Sequence, residues 1–438
     1  MTVEHVEVWL WGDHVASLVD TDERVTFGYT PRFQTSRIEL APITMPLSPD
    51  TFSGFERLNS ETFRGLPGLV ADSLPDKFGQ AVIDQWLAIQ GRPPGSMTPV
   101  EQLCYIGSRG MGALEYRPAT ERNAPPDEAL DIAALVGLAS AALGKKESLE
   151  TLGLKTEEQL AQILSVGTSA GGARAKAVIA WDPSSGEVRS GQISDLPASF
   201  EHWLLKFDGI SDSRDKEAFA DPAGYGRLEY AYSLMAAEAG ITMSNCRLLE
   251  EGGRAHFMTQ RFDRVGATGR LHYQSLNAIA EYDYNTPRAA SYEQALQVMR
   301  RIGLSRPEIE QQVRRCIFNL VCRNQDDHTK NIGFLMDRRG TWTLAPAFDV
   351  TCACNADGRW TNQHQMTVNM KADGFQREDL FALGVAADMT STEVDQVINE
   401  VEAAGRQWSE FAEQAEVFPA QRRINDTFRT FSATGASI

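Results

Sequence analysis

Between Asn324 and Val350 the chain reads NQDDHTKNIGF, a short excursion, and then LAPAFDV. Asp326 and Asn331 stand in an Asp-x-x-x-x-Asn spacing, and Asp349 follows in an apolar frame of Ala347, Phe348 and Val350. A carboxylate, an amide oxygen and a second carboxylate in that order suit phosphoryl transfer. In protein kinases the first Asp faces the attacking hydroxyl, the Asn reaches a magnesium ion, and a later Asp holds metal. The segments Ile332 to Met336 and Trp342 to Leu344 flank Arg339-Gly340 and predict a hairpin. Such a hairpin would return Asp349 to Asn331, so that both could hold one Mg²⁺–ATP. An acid-rich polar loop is also ordinary solvated surface, so the spacing needs support from the rest of the chain.

The elements that must position these residues belong to a chain of 438 residues, long enough for two or three units around substantial cores. Hydrophobic residues at 42% and charged ones at 23% are ordinary for a globular protein. A formal net charge of −17 argues against direct bulk binding of nucleic acid, which wants a basic face. The six cysteines form no C-x-x-C frame, and Cys352-x-Cys354 is too short for an ordinary zinc clip. All six are expected to be reduced packing residues. No basic leader followed by an apolar run opens the chain, and no stretch nears membrane-spanning length, so a cytoplasmic protein with no membrane partner is expected.

Along the chain, Val6 to Trp11, Val15 to Leu18 and Val25 to Tyr29 predict strands. A helix is expected to open at Pro75 after Ser73, and another at the capping box Thr98-x-x-Glu101. The glycines of Ile106 to Tyr116 fit a turn better than a phosphate loop, since no helix opens behind them. Polar, Pro-rich Pro118 to Pro126 marks a boundary. Beyond it, Leu130 to Leu143 and Thr156 to Leu164 predict helices. In SVGTSAGGARAKAVIAW (Ser165 to Trp181) a glycine-rich loop opens into a strand from Ala177. Glycines let backbone approach phosphates, and Arg174 or Lys176 would add charge.

His202 to Gly209 predicts a strand with one internal charge, Lys206. It either lies on the solvent face of an edge strand or points at ATP phosphates. Gly226 to Ala239 predicts a helix on which Glu229, bordering the apolar face, is a candidate partner for Lys206. Met258 to Arg264 predicts a strand leaving a β-rich lobe, where a kinase has its hinge. The chain then turns helical, with Tyr292 to Met299 and a helix begun by Ser305-Arg-Pro-Glu308 that carries the Asn324–Asn331 loop. Gln376 to Leu383, Thr392 to Ala404 and Trp408 to Phe431 complete the expected helices.

Taken together, these motifs resemble the HipA family of bacterial toxin kinases, over nearly the whole length. The carriers are Ser169, Gly172, Ala173 and Lys176 in a Ser-x-x-Gly-Ala-x-x-Lys pattern, the strand around Lys206, Arg261-Phe262-Asp263-Arg264, the loop Asp326 to Asn331, Asp349, and an N-terminal LPDKFG segment. Asp327 replaces the more usual Gly after Asp326, and Gln260 stands where an acidic residue often precedes the Arg-Phe-Asp-Arg segment. The resemblance implies an α+β, kinase-like bilobal fold with a β-rich N-terminal subdomain (1–118), an N-lobe with the Gly-rich loop (119–262) and a mostly helical C-lobe (263–438). It implies a serine/threonine protein kinase using ATP and Mg²⁺. Asp326 would orient the hydroxyl and take its proton, with Asp327 as the competing base, and His328 and Lys330 would assist. Asn331 and Asp349 would hold the metal. ATP would be lined by Ser169, Gly171, Gly172, Ala173, Lys176, Lys206, Glu229, Gln260, Phe262, Asn331 and Asp349, and Ser169 would be autophosphorylated. Implied partners are a HipB-like helix-turn-helix antitoxin, DNA only through that antitoxin, and a protein substrate such as an aminoacyl-tRNA synthetase. A small-molecule kinase of the aminoglycoside-phosphotransferase kind and a catalytically silent co-repressor are the alternatives.

Overall fold

The computed structural model describes residues 4–21, 24–118, 129–143, 174–193, 196–210, 223–266 and 268–431. Three short alternating segments near the start, β1 (His5–Leu10), β2 (Asp13–Thr21) and β3 (Arg24–Tyr29), join β4 (Leu114–Arg117) in an antiparallel sheet ordered β3-β2-β1-β4. Val6, Val8 and Leu10 point inward at the two-residue period, which fixes the register against Leu18 and Ala16.

A second antiparallel sheet is built from β5 (Lys176–Trp181), β6 (Val188–Ser190), β7 (Glu201–Lys206), β8 (Cys246–Glu251) and β9 (Arg254–Gln260), in the order β6-β5-β7-β9-β8. β7 is therefore central, so Lys206 does not lie on an edge strand. Two helices, Lys77–Ile89 and Ile132–Leu143, bury Phe78, Val82, Ile83 and Leu135 against Ala177, Ile179, Trp203 and Leu205 of this sheet. The first of these helices opens two residues later than its sequence suggests. Asp76 caps it by accepting from Gly79 N at 2.7 Å, and Pro75 stays outside.

The remaining chain is mostly helical. A two-stranded ribbon, β10 (Arg264–Val265) and β11 (Gly269–Arg270), precedes the sheet of β12 (His272–Ser275), β13 (Gly333–Met336) and β14 (Trp342–Leu344). The expected β13–β14 hairpin forms, its turn held by Asp337 Oδ1 accepting from Arg339 N and Thr341 N. The helix Arg306–Val321 has its Ser305/Glu308 capping box and buries Ile309, Val313, Ile317, Leu320 and Val321. The single helix expected from Trp408 to Phe431 is instead broken. Trp408–Gln414 ends before Glu416, which takes a left-handed conformation (φ 52°), and Pro419 starts a separate short helix. Proline lacks the N–H that a continuous helix would need there. Cysteine packing is also less uniform than expected: Cys104, Cys316, Cys322 and Cys352 are buried, but Cys246 and Cys354 are partly exposed. Among the described residues no helix is long and apolar enough to cross a membrane.

Candidate active site

The loop after the Arg306–Val321 helix is anchored at both ends. Arg323 leaves the helix in a left-handed conformation (φ 61°). Gln325 N then donates to Ala353 O (3.0 Å) and Ala353 N to Arg323 O (3.2 Å), so the loop lies alongside the segment that follows Asp349. Asn331 Nδ2 donates to Asp326 O at 2.8 Å, closing the Asp-x-x-x-x-Asn span onto itself. Asp349 is itself left-handed (φ 56°), a strained conformation for a residue with a Cβ, held where Ala347 N donates to Thr242 O.

Facing this loop, Lys206 projects from β7, 6% exposed, onto two carboxylates. Its Nζ donates to Glu229 Oε1 at 2.5 Å and to Asp349 Oδ1. Glu229 is wholly buried and also accepts from Arg174 Nη1 at 2.8 Å. Its helix, Tyr225–Glu238, is set against the sheet by Asp208, whose carboxylate accepts from Gly224 N and Gly226 N at the helix start. Burial pushes the Asp349 carboxyl up, but Lys206 and then Lys176 more than offset this and hold it well below the usual carboxylate range. Burial likewise opposes the Lys206 charge, yet Asp349 and Glu229 outweigh it and raise the ammonium pKa.

The two adjacent aspartates have opposite surroundings. Asp327 is 2% exposed. It accepts from Tyr292 Oη (2.8 Å) and Gln365 N (2.8 Å), and lies 2.9 Å from His364 Nδ1. Asp326 keeps 46% of its side chain open toward the cleft, with His328 Nε2 at 3.8 Å. Lost hydration raises its pKa; His328 opposes that rise, and Asp349 and Asp327 add to it. Of the pair, Asp326 alone has an oxygen facing outward.

Family models match this frame twice. Residues 6–117 match the HipA N-terminal domain and residues 168–408 the HipA-like C-terminal domain. The chain belongs to the HipA family. The HipA of a Shewanella oneidensis MR-1 toxin–antitoxin system, solved with HipB and operator DNA, covers 94% of this chain and 90% of its own with a TM-score of 0.60 at 14% identity, which establishes the kinase-like α+β fold. The Helicobacter pylori proinflammatory kinase CtkA covers 51% of this chain and 90% of its own at 13% identity, with a TM-score of 0.31, too low to weigh. A Sinorhizobium fredii protein whose name proposes a kinase, Y4mE, is 28% identical over 126 residues, 26% of this chain. That match spans 30% of Y4mE's length.

In this HipA-family chain the other expected site residues are placed as follows. Lys176 is 4% exposed on β5, opposite Lys206 in register, and its Nζ lies 3.1 Å from Asp76 Oδ2. Phe262 packs at a tilt against Phe348 (5.5 Å between centroids), beside Asp349, whereas the Gln260 side chain accepts from Asn245 at 2.7 Å. Lys330 Nζ sits 4.8 Å from the Tyr284 ring, and His328 tilts against the same ring at 5.5 Å. Ser169, Gly171, Gly172 and Ala173 lie outside the described residues, as does the helix expected from Thr156 to Leu164. Sequence reasoning missed Asp76 as a neighbour of Lys176, Asp208 as the anchor of the Glu229 helix, and His364 and Tyr292 around Asp327. Only Asp76 carried a signal, inside LPDKFG, and no spacing rule joins positions a hundred residues apart.

The donor set fits magnesium. Asp349 is ionised across the ordinary pH range and Asn331 offers an amide oxygen, both hard ligands. Among the described residues no cluster of three or more His, Cys, Asp or Glu could hold a metal. One carboxylate and one amide are what a magnesium ion shared with substrate phosphates takes.

Proposed function

We propose that this chain is an ATP-dependent serine/threonine protein kinase, the toxin component of a toxin–antitoxin pair. The observation that carries the reading is the Lys206–Glu229–Asp349 cluster facing an outward Asp326. A buried lysine is clamped by a helix glutamate, with a metal-type aspartate and a base-type aspartate across the cleft. Magnesium, when bound by Asp349 and Asn331, supplies neutralisation of phosphate charge. Lys206 adds a second fixed positive charge and is oriented by Glu229. Asp326 accepts a hydrogen bond from the substrate hydroxyl and takes its proton as the phosphoryl group transfers. Its raised pKa makes it a better proton acceptor than an aspartate of ordinary pKa. Lys330, at the edge of the loop, offsets charge on the transferred group. Positioning and electrostatics carry most of the catalysis in such a site.

The finer reading follows the family. A HipB-like helix-turn-helix antitoxin would supply the basic DNA-binding surface that a −17 chain lacks as a whole. The substrate would be a protein of translation such as an aminoacyl-tRNA synthetase, and Ser169 would be autophosphorylated. A phosphate there carries about −1.5 to −2 charges and would repel ATP. Incubation with radiolabelled ATP and Mg²⁺, alone and with lysate proteins, followed by phosphosite mapping, tests this. Label on serine or threonine, absent in Asp326→Asn, is the expected result. No transfer by folded protein would leave the silent co-repressor, and label only on small molecules would favour the aminoglycoside-phosphotransferase kind.

A further inference from the structure

Two of the free cysteines, Cys352 and Cys354, stand against the machinery described above without taking part in it. The segment that carries them is pinned through its backbone. Ala353, between the two, exchanges hydrogen bonds with Arg323 and Gln325 and so holds the base of the Asp326 loop. Cys352 O accepts from Tyr225 Oη at 2.7 Å, at the start of the helix that bears Glu229. Side chains alternate along an extended segment, so Cys352 and Cys354 leave the same face of it, on either side of Ala353. Their thiol groups hydrogen-bond to each other.

The surroundings of the two sulfurs are unequal. Cys352 is buried, whereas Cys354 is partly exposed. Arg323 hydrogen-bonds to the Cys354 sulfur, and the Arg429 guanidinium lies within its field. Arg429 is tied to Asp373, but its Nη1 is buried without a partner, and so is Nε of Arg323. Guanidinium groups beside an accessible sulfur favour the thiolate. The Cys352 thiol and then Arg323 hold the Cys354 pKa well below the usual thiol value, against the effect of burial. Cys246, the other partly exposed cysteine, is the opposite case, since burial pushes its thiol up to about 11. Of the six thiols, Cys354 alone combines access with thiolate character.

We propose that Cys352 and Cys354 form a peroxide-sensitive pair that closes to a disulfide and frees the Asp326 loop from its backbone anchor. The Cys354 thiolate attacks one oxygen of hydrogen peroxide and breaks the O–O bond. This leaves a sulfenic acid and a hydroxide that takes a proton from solvent. Cys352, giving up its proton, attacks the Cys354 sulfur and displaces the hydroxyl group as water. Both thiols are oxidised, the peroxide is reduced to two waters, and a dithiol reductant reverses the change. An extended chain advances about 3.3 Å per residue, which puts Cα atoms two positions apart at about 6.6 Å, near the outer limit of a disulfide's span of about 4.4–6.8 Å. The bond therefore shortens and bends the segment, and Ala353 turns away from Arg323 and Gln325. This inference concerns the anchor of the loop and does not depend on which group the site phosphorylates.

Treatment of the whole reduced protein with hydrogen peroxide, followed by alkylation and trypsin digestion, tests it. Residues 340–359 carry both cysteines and no other, and should be recovered unalkylated and lacking two hydrogens, with dithiothreitol restoring them. Brief iodoacetamide labelling of the reduced protein should modify Cys354 at least about tenfold faster than Cys246. Cys352→Ser should stop at the sulfenic acid, which dimedone captures on Cys354, and Cys354→Ser should give neither product, with melting curves showing that both variants are folded. Amide exchange at Gln325 and Ala353 should quicken about tenfold in oxidised wild type, the scale of one lost hydrogen bond, and stay unchanged in peroxide-treated Cys354→Ser. Oxidation of Cys246 with no Cys352–Cys354 disulfide, no dimedone adduct in Cys352→Ser, or exchange unmoved by a formed disulfide overturns the proposal.

Discussion

Asp326 and Asp327 are neighbours in sequence, yet they belong to two differently built regions. Around Asp327 every strong partner is already inside the protein: Tyr292, His364 and the Gln365 amide close the carboxylate off from water. Around Asp326 and Asp349 the charges are fixed at the back, by Lys206, Glu229 and Arg174, and left open at the front. The first arrangement is scaffold, since a satisfied buried network rigidifies the segment that bears it. The second is the candidate site, because charge held in place but not fully paired can meet a substrate. Family motifs alone left the choice of base between these two carboxylates open, and the difference in their burial is what supports Asp326 in the proposed role.

The largest test of this contrast is Asp326→Asn. Phosphoryl transfer should fall by roughly 10²- to 10⁴-fold, the range for loss of a general base, while the thermal midpoint barely moves. Full activity in that variant would break the contrast and return suspicion to Asp327. The converse change, Asp327→Ala, should show mainly in a denaturation curve. Removing one partner from a buried charged network costs about 3–5 kcal/mol, so the chemical midpoint should drop sharply. An unchanged midpoint would show that the network is not structural.

Asp349→Asn sits between the two. Nucleotide affinity in the presence of Mg²⁺ should weaken by at least about tenfold, the scale seen when even supporting groups of a metal ligand are removed. Titration with and without Mg²⁺ checks it, and equal affinities for variant and wild type would remove Asp349 from the metal site.

Smallest is the effect of pH. Asp326 must be ionised to act, and its pKa is raised, so the acid limb of kcat/KM should lie above the ordinary aspartate value of about 3.9. Asp349 is shifted the other way. Its folded pKa is depressed, so its pairing contributes stability that is full above about 4 and is lost as pH falls toward the folded value. Acid denaturation of wild type and Asp349→Asn should therefore converge as pH drops below about 4. Curves that stay parallel would contradict the depressed value.

Local rules reached far in this chain. The capping boxes at Thr98 and Ser305 both formed, because a cap is decided by residues three apart. The β13–β14 hairpin and the strand bearing Lys206 were equally legible from alternation and turn residues. Glu229 was identifiable as a candidate for Lys206 from its place at the edge of an apolar helical face. Where local rules failed, the cause was a competing local device, as with Asp76 taking the cap ahead of Pro75 or Pro419 cutting the last helix. By itself, then, the sequence determined which short elements form and which residue types stand at their ends. Only the tertiary structure decided that Lys206 is central and paired on two sides, that Lys176 meets Asp76, and that Asp327 is sealed while Asp326 is open. Burial and charge pairing at these places depend on contacts between segments up to hundreds of residues apart, and such contacts have no period to read.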